Sequence, residues 1–133
     1  MAQYNDFEDL PIWQEARVLA KEVYGLTNQG PFKGDRGLRD QVQRAIISAG
    51  SNIAEGFDRS SDKDFANFLT IAKSSIAETR SQLYSALDFG YINETEQKEV
   101  NQKLKQLGSQ IGGFINYLRG SSRTNRRSPS NES

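Results

Sequence analysis

The apolar residues between positions 38 and 59 recur at steps of three and four residues, and this spacing constrains the fold more than any other feature of the chain. The stripe consists of Leu38, Val42, Ala45, Ile46, Ala49 and Ile53. Residues at these steps share one side of an α-helix, so the stretch is predicted to be a helix that buries this side in a core. A polar edge runs beside the stripe and consists of Gln41, Arg44, Ser48, Asn52 and Glu55. Half-buried polar groups need partners, which the rest of the chain must supply.

Three further segments of the chain repeat this helical pattern. Helices are predicted over about residues 10–27, 35–56, 62–89 and 93–119. The segment 28–37 holds three glycines and one proline, which predicts a loop, and Phe32 inside it is expected to plug one end of the core. Short connections place successive helices antiparallel. We therefore predict an all-α, antiparallel up-down-up-down four-helix bundle over residues 1–119, followed by a disordered polar tail over residues 120–133.

Glycines and polar side chains mark the predicted helix ends. Gly56 is expected to end the second helix in the left-handed conformation, and Gly90 is expected to stop the third. Asn93 followed by Glu96 has the spacing of a capping box, which predicts the start of the fourth helix.

The third predicted helix carries a polar shoulder of its own, formed by Ser75, Glu78 and Gln82. This shoulder mirrors the polar edge of the second helix. Two helices with facing apolar stripes and matching polar shoulders favour pairs across the seam, so an ion pair between Arg44 and Glu78 is expected.

A second apolar line lies on what should be the solvent side of the second helix, and Trp13 and Tyr24 flank the core stripe of the first. Such lines either widen the core face or form a contact between subunits. The candidate oligomer interface consists of Trp13, Tyr24, Ile47, Gly50 and Ala54.

Composition argues against catalysis. The chain has no histidine and no cysteine, which removes the commonest general base, the commonest metal ligand and the thiol nucleophile. Glu55 and Glu78 could in principle form a carboxylate pair, but each has an arginine available, which favours a structural role. No phosphate-binding glycine motif is present. We predict a non-enzyme without catalytic residues, metal or cofactor. The absence of a signal peptide or a long apolar run predicts a cytoplasmic protein with no membrane partner.

The charge of the chain is compatible both with nucleic-acid binding and with its absence. The 17 basic and 17 acidic side chains cancel, although a local patch can persist within a neutral total. The candidate nucleic-acid contacts are Arg36, Arg39, Arg59, Lys63, Arg119, Arg123, Arg126 and Arg127. The alternative is ordinary solvated surface. Oligomerisation would multiply a modest patch into a ring of charge.

Several separated blocks of sequence match one bacterial family in order. They are FEDLPIWQEA at 7–16, NIAEG at 52–56, and then Arg59, Phe65, Phe68, Leu69, Ala72, Ser75, Glu78 and Leu83. Over residues 7–119 the chain resembles the four-helix-bundle proteins encoded in intervening sequences of 23S rRNA genes, and it is similar to the accessory variability proteins of diversity-generating retroelements. The resemblance implies a homopentameric ring. For the retroelement proteins, which are basic, it also implies RNA and a reverse transcriptase as partners, and this chain departs from them by its neutral charge.

The matching positions define a signature turn between the second and third helices together with the polar seam. The predicted site comprises Arg44, Asn52, Glu55, Gly56, Arg59, Ser75 and Glu78. Its residues either fix the turn or bind a ligand. The functional prediction is a non-catalytic oligomeric scaffold or adaptor, associated with RNA or with a nucleic-acid enzyme such as a reverse transcriptase. The alternative is a self-associating structural protein with a protein partner and no nucleic-acid binding.

Overall fold

The computed structural model describes residues 4–121, and within this range the chain is helical with no β-strand. A short 3-10 turn over Phe7–Asp9 precedes five α-helices. They are α1 (Pro11–Thr27), α2 (Gly30–Gly34), α3 (Arg36–Phe57), α4 (Asp62–Asp88) and α5 (Glu94–Ser121). The predicted all-α class is confirmed, and the bounds of the four long helices lie within two residues of those expected from the sequence. No helix in this range is both long enough and apolar enough to cross a membrane.

The four long helices form an up-down-up-down bundle, as predicted. α3 packs against α1 and α4, and α5 packs against α4 and α1, so the four helices enclose one core. Residues late in α3 meet residues early in α4, as antiparallel packing requires: Gly56 lies against Phe65 and Phe68, and Ser48 bonds to Ser75. The core stripe of α3 is buried from Val42 to Ile53, while Leu38 is partly exposed at its start. Burial of these stripes supplies most of the stability of such helices.

The prediction that residues 28–37 form a loop throughout is wrong. The chain breaks at Asn28 and Gln29, as expected, but residues 30–34 then form the short helix α2. Gly30 adopts a positive φ of 46°, and a proline in the first turn is compatible with a helix start. Phe32 is fully buried within α2, so its predicted role as a plug of the core is confirmed.

The turn between α4 and α5 follows the predicted chemistry. Gly90 has a φ of 78°, its N–H donates to the Leu87 carbonyl (3.0 Å), and the Tyr91 N–H donates to the Ala86 carbonyl (2.8 Å). This is the Schellman pattern, which satisfies carbonyls left free at the end of a helix. The predicted capping box at Asn93 and Glu96 is also present, with reciprocal bonds of 2.8 and 2.9 Å.

The end of α5 departs slightly from the predicted boundary. The helix continues through Gly120 to Ser121, so Gly120 does not end it. The rest of the predicted disordered tail, residues 122–133, lies outside the described residues.

Asp35 joins the start of α3 to the α4–α5 turn. Its Oδ1 accepts the Leu38 N–H (3.1 Å), which caps α3, and its Oδ2 accepts the Tyr91 hydroxyl (2.9 Å). The Tyr91 ring packs 5.4 Å from the ring of Phe32 and 5.7 Å from that of Phe89. The hydrogen bond to Asp35 raises the pKa of Tyr91, and burial and the negative charge of Asp35 raise it further.

This contact predicts a pH dependence of stability. A raised pKa means that the folded state holds the tyrosine proton more tightly than the unfolded state, whose pKa is about 10. The contribution of Tyr91 is therefore complete below about pH 10 and is lost as pH rises through the higher folded-state value. Urea unfolding between pH 8 and 11 should show a smaller loss of unfolding free energy for Tyr91→Phe than for the wild type. Equal losses would contradict the assignment.

Candidate functional site

A chain of three hydroxyl and amide groups crosses the seam between α3 and α4. The Ser75 hydroxyl donates to Ser48 Oγ (3.0 Å), and Asn52 Nδ2 donates to the Ser48 carbonyl (2.8 Å) and to Ser48 Oγ (3.0 Å). Ser75 is buried, so its hydroxyl requires a partner in the fold. Ser48 belongs to the predicted polar edge but not to the predicted site. Its position one turn before Asn52 was the signal that could have identified it.

The expected ion pair between Arg44 and Glu78 is not formed. No ion pair among residues 4–121 joins these two side chains. Glu78 Oε2 instead accepts a long bond (3.4 Å) from Gln82 on its own helix. Both members of the expected pair are exposed, and an exposed pair gains little energy for the side-chain entropy that it loses. The bond between the two serines therefore joins the helices where an ion pair was predicted.

Gly56 allows the last turn of α3 to touch the first turns of α4. A Cβ atom at this position would lie 2.7 Å from the Phe68 Cβ and 2.9 Å from the Phe65 Cδ1. The predicted left-handed conformation is wrong, because the positive-φ glycines among the described residues are Gly30 and Gly90. α3 continues past Gly56 to Phe57. The glycine is thus required for close packing and not for a turn.

Arg59 completes the signature turn from the α3 side. Its Nη2 lies 3.0 Å from Glu55 Oε2, and its guanidinium carbon lies 4.6 Å from the centre of the Phe68 ring. The structure therefore brings Glu55, Gly56 and Arg59 together against α4, one or two turns from the Asn52 and Ser75 bonds. These contacts agree with the interpretation that the signature residues fix the α3–α4 turn.

Four of the five candidate interface residues meet in one groove between α1 and α3. We name it the assembly groove; its volume is about 320 Å³. The residues that line it are Phe7, Trp13, Ala16, Arg17, Ala20, Ile46, Ile47, Gly50, Ser51 and Ala54. Tyr24 does not belong to it, because it lies about three turns farther along α1, against the core at the other end of the bundle.

The assembly groove is apolar and open to solvent. Ile47 is 47% exposed, although it is a large aliphatic side chain. Trp13 packs edge-on against Phe7 (5.0 Å between ring centres), and Arg17 lies 5.8 Å from its ring. The Trp13 indole N–H, which lies beside Gly50, donates no hydrogen bond within residues 4–121. The groove thus offers both an apolar surface and a free donor.

The candidate nucleic-acid contacts do not form one patch. Arg36 and Arg39 lie near the start of the 22-residue helix α3, whereas Arg59 and Lys63 lie beyond its end, about 33 Å away. Arg39 binds Asp40 (3.0 Å), and Arg59 binds Glu55. Arg119 is at the same end as Arg59, because α5 runs antiparallel to α4.

Three candidates, Arg123, Arg126 and Arg127, lie outside the described residues. Within the described part of the chain, no three acidic side chains converge in a way that could hold a metal ion.

These features define a class: an antiparallel four-helix bundle in which α3 packs closely on α4 and whose α1–α3 side carries an apolar groove. A family model of the 23S rRNA-intervening sequence protein matches residues 8–113. The chain therefore belongs to the 23S rRNA-intervening sequence protein family, which confirms the first part of the predicted resemblance. The similarity to retroelement accessory proteins stays a prediction.

The fold is similar to that of a solved structure. It is a protein with unknown function from the S23 ribosomal protein family of Bacteroides thetaiotaomicron, with 21% sequence identity and a TM-score of 0.68. The match covers 78% of this chain and 97% of that chain. At this identity the likeness establishes the fold alone. A comparison with proteins of curated function gave no match.

Packing at Gly56 generates a test with an internal control. Alanine favours a helix over glycine by about 1 kcal/mol, but the clash with Phe68 should outweigh this gain and destabilise Gly56→Ala by about 1–3 kcal/mol. Gly25 lies in α1 with no atom within 4 Å of the position of a Cβ. Gly25→Ala should therefore stabilise the protein by about 0.5–1 kcal/mol. Urea unfolding measures both, and equal effects would contradict the packing role of Gly56.

Proposed function

We propose that the protein is a non-catalytic homo-oligomeric scaffold in which the assembly groove of one subunit receives a second copy of the chain. The observation that carries the proposal is the convergence of Trp13, Ile47, Gly50 and Ala54 in one exposed apolar groove. In the same proposal the assembled scaffold acts in the cytoplasm on RNA or with an RNA-handling enzyme such as a reverse transcriptase. That partnership draws on the resemblance to retroelement accessory proteins.

The chemistry of the groove suits a protein partner. Tryptophan is enriched among the residues that dominate binding energy at interfaces, and a small-residue floor of Gly50 and Ala54 lets a partner side chain approach closely. Covering Ile47 would remove a large apolar side chain from water. The indole N–H of Trp13 would gain an acceptor in the same step.

A second copy of the chain offers a matching projection. Ile71 is an exposed aliphatic side chain on α4 (49% exposed), four residues before Ser75. Because Ser75 is bonded to Ser48 and the helices are antiparallel, Ile71 lies level with the turn of α3 that follows Ser48. The assembly groove occupies the same level on the other flank of α3. The Ile71 projection and the assembly groove therefore lie at the same level along the bundle axis, on two adjacent faces of the subunit.

Contacts between two different faces are heterologous and generate a closed ring when the rotation between subunits closes. Opposite faces would build a straight stack, whereas adjacent faces of a bundle suit a ring of few subunits. The resemblance to the intervening-sequence family favours five subunits, and we propose a pentamer on that ground.

The runner-up is a self-associating structural protein with a protein partner and no nucleic-acid binding. The neutral net charge of the chain and the ion pairs made by Arg39 and Arg59 favour it. Both versions share the assembly groove and differ only in whether RNA binds. If the protein retains RNA, and retains less of it as salt is added, the RNA-binding scaffold is supported. If it retains no RNA, the runner-up is favoured.

The assembly groove is tested by Ile47→Glu. A carboxylate in an apolar interface would be desolvated without a partner, so this variant should run as a single 14.9 kDa chain with unchanged helicity. Val18→Glu is the matched control, since Val18 is 57% exposed and lies outside the groove. Light scattering after size exclusion measures mass, and circular dichroism measures helicity. A monomeric wild type at micromolar concentration would refute the proposal.

A mixing experiment tests the heterologous arrangement. Ile71→Glu should also give a monomer, because it removes the projection while its groove stays intact. Mixed in equal amounts, Ile47→Glu and Ile71→Glu subunits retain one intact groove and one intact projection between them, so they should form a heterodimer and no larger ring. Failure of the mixture to associate would rule out Ile71 as the projection.

A further inference from the structure

The face between α4 and α5 is basic although the chain as a whole is neutral. Lys73 and Arg80 are seven residues apart on α4, and Lys98 and Lys105 are seven residues apart on α5. Seven residues are two helical turns, so each pair lies on one edge of its helix, separated by about 10 Å along the axis. None of the four forms an ion pair among residues 4–121.

A groove of about 560 Å³ runs between these two edges. The residues that line it include three cations and no carboxylate: Lys73, Ile76, Ala77, Arg80, Leu104, Lys105, Gly108, Ser109, Gly112, Gly113 and Asn116. By contrast, the groove between α1 and α5 has both an acidic residue, Glu15, and a basic residue, Lys103, in its lining. The basic character of the α4–α5 groove is therefore local to this face.

Two of the cations on α4 lie against α5. The Lys73 side chain lies across α5 where Gly112 has no side chain, with its Nζ 3.3 Å from the position of a Cβ. Arg80 is fixed by a 2.9 Å bond from its Nε to Asn101 Oδ1. A cation held against a partner helix loses less entropy when it binds an anion than a freely moving side chain does.

An exposed aromatic residue continues the same edge. Tyr84 is 48% exposed and lies one turn after Arg80 on α4. Single-stranded nucleic acid is bound by positive grooves that follow the backbone and by aromatic side chains on which bases stack. Lysine, arginine and tyrosine in a row supply both parts, and Ser109 and Asn116 add hydrogen-bonding groups to the groove.

We infer that the α4–α5 groove binds single-stranded RNA, with Lys73, Arg80 and Lys105 on phosphates of its backbone and Tyr84 stacked on a base. Cations spaced along about 10 Å of each helix match a chain of phosphates better than one compact phosphate group. The inference rests on the RNA part of the proposed function. It is compatible with the ring, because the assembly groove and Ile71 lie on other faces and each subunit would present one such track.

The inference is tested by fluorescence anisotropy with a labelled 20-nucleotide single-stranded RNA of mixed sequence, titrated between about 50 and 200 mM salt. Lys73→Gln combined with Lys105→Gln should weaken binding roughly tenfold or more, and should lower the slope of log affinity against log salt by about 1.4, at about 0.7 per phosphate contact. Lys21→Gln combined with Lys33→Gln is the matched control. It removes the same charge from exposed sites outside this groove and should change affinity little.

Tyr84→Ala separates nucleic acid from other polyanions. Loss of stacking should weaken RNA binding roughly five- to a hundredfold and leave heparin binding unchanged. The inference would be overturned if the two lysine double variants had equal effects on RNA affinity, or if Tyr84→Ala had none. Salt-dependent RNA binding by the wild type would still support the proposed function in either case. No RNA binding by an oligomeric wild type would overturn both the inference and the RNA part of the proposed function.

Discussion

The close approach of α3 to α4 is the constraint on which the rest of the bundle depends. A glycine at position 56 permits contact with Phe65 and Phe68, and the bond between Ser48 and Ser75 fixes the register two turns away. Once that register is set, the level of every other residue on the two helices follows. The shared level of Ile71 and the assembly groove is a result of this one contact.

The repeating features of the fold were predictable from the sequence because they depend on local spacing. Stripes at three- and four-residue steps identified the long helices, and the capping box at Asn93 and the plug at Phe32 were recognised from neighbouring residues. The helix α2 was missed because proline and glycine signals do not distinguish a loop from one helical turn. Gly56 was correctly singled out, but as a helix end and not as a packing position. The sequence around one glycine does not show that a second helix approaches it closely.

The candidate site was predictable only in part, for a related reason. Trp13, Ile47, Gly50 and Ala54 were identified because apolar residues on a polar side are informative by themselves. Which cations lie together depends on topology, so the predicted basic cluster divided between the two ends of the bundle. The track formed by Lys73, Arg80 and Lys105 was overlooked because its members come from two helices and are far apart in the sequence.

The position of the assembly groove between α1 and α3 would link the proposed oligomerisation to folding. α1 packs more extensively on α3 than on α5, to which an ion pair of Glu22 with Lys103 joins it. A helix held mainly on one side opens locally at lower free energy than the rest of a core. A subunit seated in the groove would touch both α1 and α3 and so hold α1 in place. By mass action, the protection of α1 amides against hydrogen exchange would then increase with protein concentration.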